Sequence, residues 1–352
     1  VAERLIAEGH DVSFVGTPGG LEARLVPEAG IAFHTVPSRG FDRANPLTLV
    51  VAAFVTARSL VAAARLLSRV HPDVVVGFGG YVSLPLGLAA ALRRVPLVLH
   101  EQNSVPGLAN RILSRWAHAV GTTYEGSAAH LAEPGRAVLT GNPVRASVLE
   151  ADRNRGRTML GVGPSEMLLL VFGGSRGARH INDAMVSLAP QLVAVPSLRV
   201  VHVAGRIEAA DVRTRIAGVT GGQEDRYRVV DYIDAMGDAL AASDVVVSRA
   251  GATSIAEITA VGRAAVLVPY PYATDDHQTL NARTLAEAGA ADVVTDADLD
   301  GPALGGAVLR LIAEPERVAR MARASAGLAA RDATERLVRL VDEAARTGKE
   351  MR

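Results

Sequence analysis

MLLLVFGGSRGARHIN, residues 167–182, is the stretch that organises the chain. Its first six residues are a short apolar run, the composition of a strand buried on both faces of a parallel sheet. Gly173, Gly174, Ser175, Arg176 and Gly177 follow, and a helix is expected from about Ala178. A strand, a glycine-rich turn and a helix N-terminus together make an anion site. The glycines let backbone N–H groups approach a ligand, and the helix end adds partial positive charge. A diphosphate is the usual guest; the alternative is a tight strand–helix turn with no ligand. A dinucleotide fold asks for G-x-G-x-x-G and an acidic residue roughly 20 positions on. Here Ser175 takes the third position of that pattern, and the next expected strand, 199–204, ends without Asp or Glu. The GK[ST] of a P-loop is absent as well. The loop reads as phosphate-binding, but neither NAD-type nor Walker-type.

The same alternation extends in both directions. Further strands are expected at 199–204, 227–230, 244–248, 264–268 and 291–294, each followed by a helix. Before the central stretch they are expected at 11–16, 31–36, 72–78, 95–99, 119–122 and 137–139. Alternating strands and helices imply parallel sheets covered on both faces. The turn chemistry of Gly141-Asn142-Pro143-Val144-Arg145 marks a junction. The chain is therefore expected to be α/β, with two doubly wound, Rossmann-like domains over 1–142 and 143–352. In such sheets ligands bind outside the C-terminal strand ends, so the expected site is the cleft between the domains.

At 352 residues the length suits two domains, and 49% hydrophobic with 21% charged residues describes a chain with a large core. A net charge of +0 gives no bulk attraction to nucleic acid. Without cysteine there is no disulfide framework, thiolate chemistry or cysteine metal cage. No run reaches the ~18 apolar residues of a membrane span. Residues 1–9 read as the end of a helix, whereas a doubly wound domain should open on a strand. The natural N-terminus is therefore expected to precede Val1.

Unusual residues collect at the strand ends. They are the 77–83 loop with Tyr81, then His100, Glu101 and Asn103, then the 173–177 loop, then Ser248 to Ala252 with Glu257 beyond, and finally the 269–276 loop leading to His277, Gln278 and Asn281. A carboxylate such as Glu101 beside a cleft can be a base or a hydroxyl binder, or simply solvated. Glu257 is either surface charge or a partner for vicinal hydroxyls. Gln278 and Asn281 share a helical face, and amides suit sugar hydroxyls because they donate and accept. Asp296 to Asp300 (DADLD) reads as a solvated helix start rather than a metal site. Asp275-Asp276-His277 reads likewise, with a cation as the alternative. The apolar 47–57 helix, flanked by Arg43, Arg58, Arg65 and Arg69, either packs on a sheet or lies on an anionic membrane surface.

Six motifs in order, FGGYVS (78–83), HEQNSVPGLAN (100–110), GNPVR (141–145), FGGSRGA (172–178), SRAGATSIAE (248–257) and HQTLNA (277–282), resemble the MurG family of bacterial glycosyltransferases. The resemblance covers essentially the whole chain. It implies the GT-B fold and inverting transfer of N-acetylglucosamine from UDP-GlcNAc to lipid I, giving lipid II in peptidoglycan synthesis. Gly174, Ser175 and Gly177 match the loop holding the UDP diphosphate, and Arg145, Gly251 and Ile233 match donor positions, the last reading uracil through its backbone. Glu257 matches the ribose acid, and His277, Gln278 and Asn281 match residues facing the sugar. Tyr81, His100, Glu101 and Asn103 fall on the acceptor side, with Glu101 the only nominee for the base. The implied site needs no metal or other cofactor. The resemblance also implies peripheral attachment to the cytoplasmic side of the membrane near residues 47–55, and C-terminal helices returning toward the N-terminal domain. The family opens with a strand and a GGTGGH-like loop facing the acceptor; this is absent here, so activity of the chain as given stays in question. The alternatives are another GT-B lipid glycosyltransferase, a UDP-GlcNAc 2-epimerase, or a non-catalytic UDP-GlcNAc-binding fragment. A dinucleotide oxidoreductase is disfavoured by the missing acid after 199–204.

Overall fold

The structure, a computed structural model, describes residues 1–37, 46–173, 178–299 and 302–350, with the side chains of the Pro46–Val70 helix described from residue 57. The strands run in order as β1 Ser13–Gly16, β2 Ala32–Thr35, β3 Val75–Gly77, β4 Leu97–Glu101, β5 Ala119–Thr122, β6 Ala137–Leu139, β7 Met167–Phe172, β8 Leu198–Val203, β9 Tyr227–Val230, β10 Val245–Arg249, β11 Ala264–Val268 and β12 Ala291–Val293. Every strand expected from the sequence is present, with some ends shifted. The chain divides into two compact units, one of Val1–Pro143 with Asp332–Arg352 and one of Val144–Arg331.

The second unit holds one sheet in the order β12-β11-β10-β7-β8-β9, with every pair parallel. Strand period two sorts its apolar residues to opposite faces. Leu169, Val171, Val245 and Val247 pack with Ile181, Met185 and Leu192 of the Arg179–Val193 helix. Leu168, Leu170, Phe172 and Val246 pack with Ile255 and Ile258 of the Ala252–Val261 helix. Because both faces are covered, β7 reads as an unbroken apolar run. From β7 the chain steps outward through β8 and β9, then returns to β10 on the other side of β7. The order reverses there, so the crevice between the C-terminal ends of β7 and β10 is where a ligand fits.

The first unit contains two parallel sheets, β1-β2 and β3-β4-β5-β6. A single doubly wound sheet was expected; among the described residues no backbone pairing joins β1 to β3. The chain leaves β3 through Gly79 and Gly80, both at φ +79°, a left-handed turn that glycine makes without steric cost. The Gly80–Leu92 helix then packs Ala89 and Ala90 with Ala63 and Leu67 of the Pro46–Val70 helix. The final helix, Ala333–Glu350, belongs to this unit, where Leu337, Val338 and Val341 cover Leu5 and Val98. No described helix is long and apolar enough to cross a membrane.

Candidate functional site

A cavity of about 490 Å³ lies at the β7/β10 crevice of the second unit. It is lined by Gly173, Ala178, Arg179, His180, Arg249, Gly251, Ser254, Tyr270, Tyr272, Gln278 and Asp296. Two helices, Arg179–Val193 and Ala252–Val261, begin on its wall, and neither has a side-chain cap among the described residues. Their first N–H groups are therefore available to a ligand, with the positive ends of both helix dipoles behind them. The wall suits a diphosphate. Gly174, Ser175 and Gly177 lie outside the described residues.

One carboxylate organises the polar side of this cavity, and the sequence reading sets it aside as solvated. Asp296 accepts from Arg249 through Oδ1 and lies 2.6 Å from His180 Nδ1 through Oδ2, with its side chain only 8% exposed. Burial pushes its carboxyl pKa up, but the bonds to Arg249 and His180 prevail and hold it below the usual carboxylate range. The reading of Asp296 as a solvated helix start is thus corrected: it follows β12 on the same sheet edge as the cavity. Its neighbour Asp298 does stay exposed, accepting from Thr295 Oγ1 at 2.6 Å. Arg249 also lies over the Tyr270 ring at 5.5 Å, and Tyr270 meets Tyr272 edge-on at 5.6 Å.

Behind the cavity a chain of bonds, buried at His202 and exposed at its outer end, reaches Arg179. Its Nε donates to Glu208 (2.8 Å), which also accepts from Asn182 Nδ2 (2.6 Å). Asn182 Oδ1 accepts from His202 Nε2 (2.9 Å), and Tyr227 donates its hydroxyl to His202 Nδ1 (3.1 Å). Burial lowers the His202 pKa to about 3, so the ring is neutral with one donor and one acceptor nitrogen, as this chain requires.

Arg145 and Glu257, 112 residues apart, form a pair: Nε and Nη2 both donate to Oε1, at 3.1 and 2.8 Å. Glu257 is buried, while the Arg145 side chain is 59% exposed. Oε2 makes no hydrogen bond among the described residues. Gly251 is the N-cap of the helix carrying Glu257. Gln278 lines the cavity and accepts from the Tyr270 N–H at 3.0 Å. His277 turns Nδ1 to the Thr274 carbonyl at 2.7 Å, and buried Asn281 donates to the Ala250 carbonyl at 3.4 Å. Asp275 and Asp276, both at φ +52°, bend the chain sharply into this helix. Ile233 is half-buried against the core face of the sheet.

In the first unit the acceptor-side candidates differ in exposure. Tyr81 is 64% exposed. His100 is buried and its Nε2 meets the Gly141 carbonyl at 2.9 Å; burial lowers its pKa although that bond and Glu101 oppose the shift. Glu101 was the nominee for the base, yet its buried carboxylate is already committed. Oε1 accepts from Asn103 N and Nδ2 (2.9 and 3.3 Å), and Oε2 from Gly107 N and Asn110 Nδ2 (3.0 and 2.9 Å). Asn110 was missed, although its place in the 100–110 motif was visible.

The model of the glycosyltransferase family 28 C-terminal domain matches residues 168–337, and that of the N-terminal domain matches residues 1–122. A UDP-N-acetylglucosamine–N-acetylmuramyl-(pentapeptide) pyrophosphoryl-undecaprenol N-acetylglucosamine transferase of Desulfitobacterium hafniense (strain Y51) is 40% identical over 341 residues, 96% of this chain and 92% of that protein. The enzyme of the same description from Burkholderia ambifaria (strain MC40-6) is 41% identical over 342 residues, 97% of this chain and 90% of its own. Among solved structures, Acinetobacter baumannii MurG superposes with a TM-score of 0.76 at 29% identity, covering 97% of this chain and 93% of that one. The Neisseria meningitidis UDP-GlcNAc 2-epimerase, at 13% identity and a TM-score of 0.67 over 96% of this chain and 93% of its own, shares the fold.

Proposed function

The chain belongs to glycosyltransferase family 28, and from that membership we propose that it transfers N-acetylglucosamine from UDP-GlcNAc to N-acetylmuramyl-(pentapeptide) pyrophosphoryl-undecaprenol, lipid I, giving the lipid II of peptidoglycan synthesis. The observation that carries this reading is the second unit's cavity, where two uncapped helix N-termini meet at the strand-order reversal. A diphosphate seats there against backbone N–H groups. Glu257 then offers Oε2 to the ribose diol while Arg145 holds Oε1. Gln278 serves the sugar, with His277 beside it; Asn281, fully buried on the Ala250 carbonyl, supports that wall from behind rather than touching the sugar; and Ile233 serves the uracil.

In the reaction an acceptor hydroxyl attacks the anomeric carbon from the face opposite the diphosphate, with inversion, as the bond to UDP breaks and the hydroxyl proton passes to water. The electron pair stays on the diphosphate, and the helix ends stabilise the growing charge before any reorganisation is needed. Glu101, bonded to four donors, is assigned to shaping the 101–107 loop rather than to taking the proton. His100 likewise holds the Gly141 carbonyl, while Tyr81 and Asn103 remain the acceptor contacts.

The lipid-linked acceptor places the enzyme at a membrane surface, peripherally and on the cytoplasmic side. Two parts of the first unit suit that surface. One is the Pro46–Val70 helix, apolar over residues 47–55 and followed by Arg58, Arg65 and Arg69. The other is the exposed face of Leu108, Ile112 and Trp116, interleaved with Arg111 and Arg115. Trp116 is the sole tryptophan, so its emission should shift to the blue with anionic vesicles and stay unchanged with neutral ones.

Calorimetric titration with UDP-GlcNAc and UDP-galactose, with chelator present, tests the donor assignment. Selective binding of UDP-GlcNAc is expected; equal binding of both, or none by the folded chain, would overturn it.

A further inference from the structure

We infer that His180 couples diphosphate binding in this cavity to uptake of a proton. The inference rests on the donor-site reading above and adds a residue to it. His180 lies in the first turn of the Arg179–Val193 helix, lines the cavity, and keeps 61% of its side chain exposed. Its Nδ1 is fixed 2.6 Å from Asp296 Oδ2. Arg249 holds the other oxygen of Asp296 and keeps the carboxylate ionised, so Asp296 can only accept. Nδ1 must therefore carry the hydrogen.

The consequence falls on Nε2, which has no hydrogen-bond partner among the described residues. In the neutral ring, with Nδ1 protonated, Nε2 is a lone pair that a diphosphate would repel. In the imidazolium it becomes a charged donor, the form a diphosphate prefers. Charges of both signs surround the ring in the free protein. Arg249 and the helix N-terminus bring positive charge, and Asp296 brings negative charge. On the same helix Arg179 is paired with Glu208 and Asp183 with Arg215 (2.6 Å). Asp298 is occupied by Thr295, and the Tyr270 and Tyr272 rings complete the wall. An incoming diphosphate is the charge that tips this balance. The bound proton then faces the charge left on UDP as the sugar departs.

The test is calorimetric titration of the chain with UDP-GlcNAc at about pH 6 and about pH 8, in buffers of contrasting ionisation enthalpy. The diphosphate diester keeps the same charge across this range, so any proton exchanged belongs to the protein. Wild type should bind about tenfold more tightly at the lower pH and take up protons on binding. His180→Gln should bind equally at both pH values without proton uptake. Asp296→Asn, which removes the orienting carboxylate, should also flatten the profile. Uridine, lacking phosphate, should bind all three proteins without pH dependence. A His180→Gln protein that keeps the wild-type profile, or wild-type affinity that does not change with pH, overturns the inference alone. Absence of UDP-GlcNAc binding by folded wild type at either pH overturns the donor-site reading and the inference with it.

Discussion

Replacing Glu257 by Gln separates a ligand contact from a structural one. In the structure Oε1 takes both Arg145 contacts and Oε2 is left over, so the two oxygens have different duties. Arg145 is 59% exposed, and water screens its half of the pair. The ion pair therefore contributes no more than about 1 kcal/mol to folding. The amide keeps the carboxylate's shape and leaves no buried charge unpaired, so unfolding free energy should fall by about 1 kcal/mol at most. Donor binding should suffer more. Hydrogen bonds from the ribose hydroxyls to a buried carboxylate are charge-assisted and contribute about 1.5–3 kcal/mol each. Losing the charge while keeping one amide oxygen should weaken UDP-GlcNAc binding by roughly 10- to 100-fold, or about 1.4–2.8 kcal/mol. Uridine should lose a similar factor because it carries the same diol, whereas inorganic diphosphate should lose little. Calorimetry with the three ligands, alongside urea unfolding, reads each quantity. Unchanged uridine affinity in a variant as stable as wild type would remove Glu257 from the ribose role.

Three further changes probe the supporting structure. His202 stays neutral in the fold with a pKa of about 3 against an ordinary 6.5, so only the unfolded chain gains a proton between these values. Stability is fully present above about pH 6.5 and is lost as pH falls toward 3, by about 2 kcal/mol at pH ~5. Urea unfolding at the two pH values should show a smaller loss in His202→Gln than in wild type, and identical losses would refute the neutral buried ring. Glu101→Gln turns an amide N–H₂ toward donors such as Gly107 N and Asn110 Nδ2. It should cost about 2–4 kcal/mol of unfolding free energy, with transfer falling in step; an inactive variant as stable as wild type would restore the base role. Gly156→Ala would place a Cβ 2.0 Å from the Asp238 carbonyl oxygen, a backbone atom that cannot swing away. Thermal unfolding should report about 1–3 kcal/mol of destabilisation, and wild-type stability would contradict the close helix packing seen there.

Much of the fold was legible because its signals are local. The apolar run of β7 and the turn after it sit within eleven consecutive residues, and so do Glu101 and the donors that hold it. The glutamate's commitment to Asn103, Gly107 and Asn110 could have been anticipated from a carboxylate followed by amides and a helix start. Asp296 could not. Its partners lie 47 and 116 residues away, and only the β10–β11–β12 sheet order carries it to their side. In isolation its acidic run has the composition of any solvated helix start. The Arg145–Glu257 pair was half legible: each residue was nominated, but their contact across 112 residues depends on tertiary packing. The division of the first unit into two parallel sheets was hidden too, because alternation predicts strands and helices without saying which strands pair.

Incubating the chain with UDP-GlcNAc labelled in the sugar and with lipid I, then determining the product's glycosidic linkage by NMR, tests transfer most directly. The expected result is one UDP released per labelled sugar on the lipid, joined through a β linkage, as inversion of the α-linked donor requires. An α-linked product, UDP-N-acetylmannosamine in place of a lipid product, or no lipid labelling by the folded chain would contradict it.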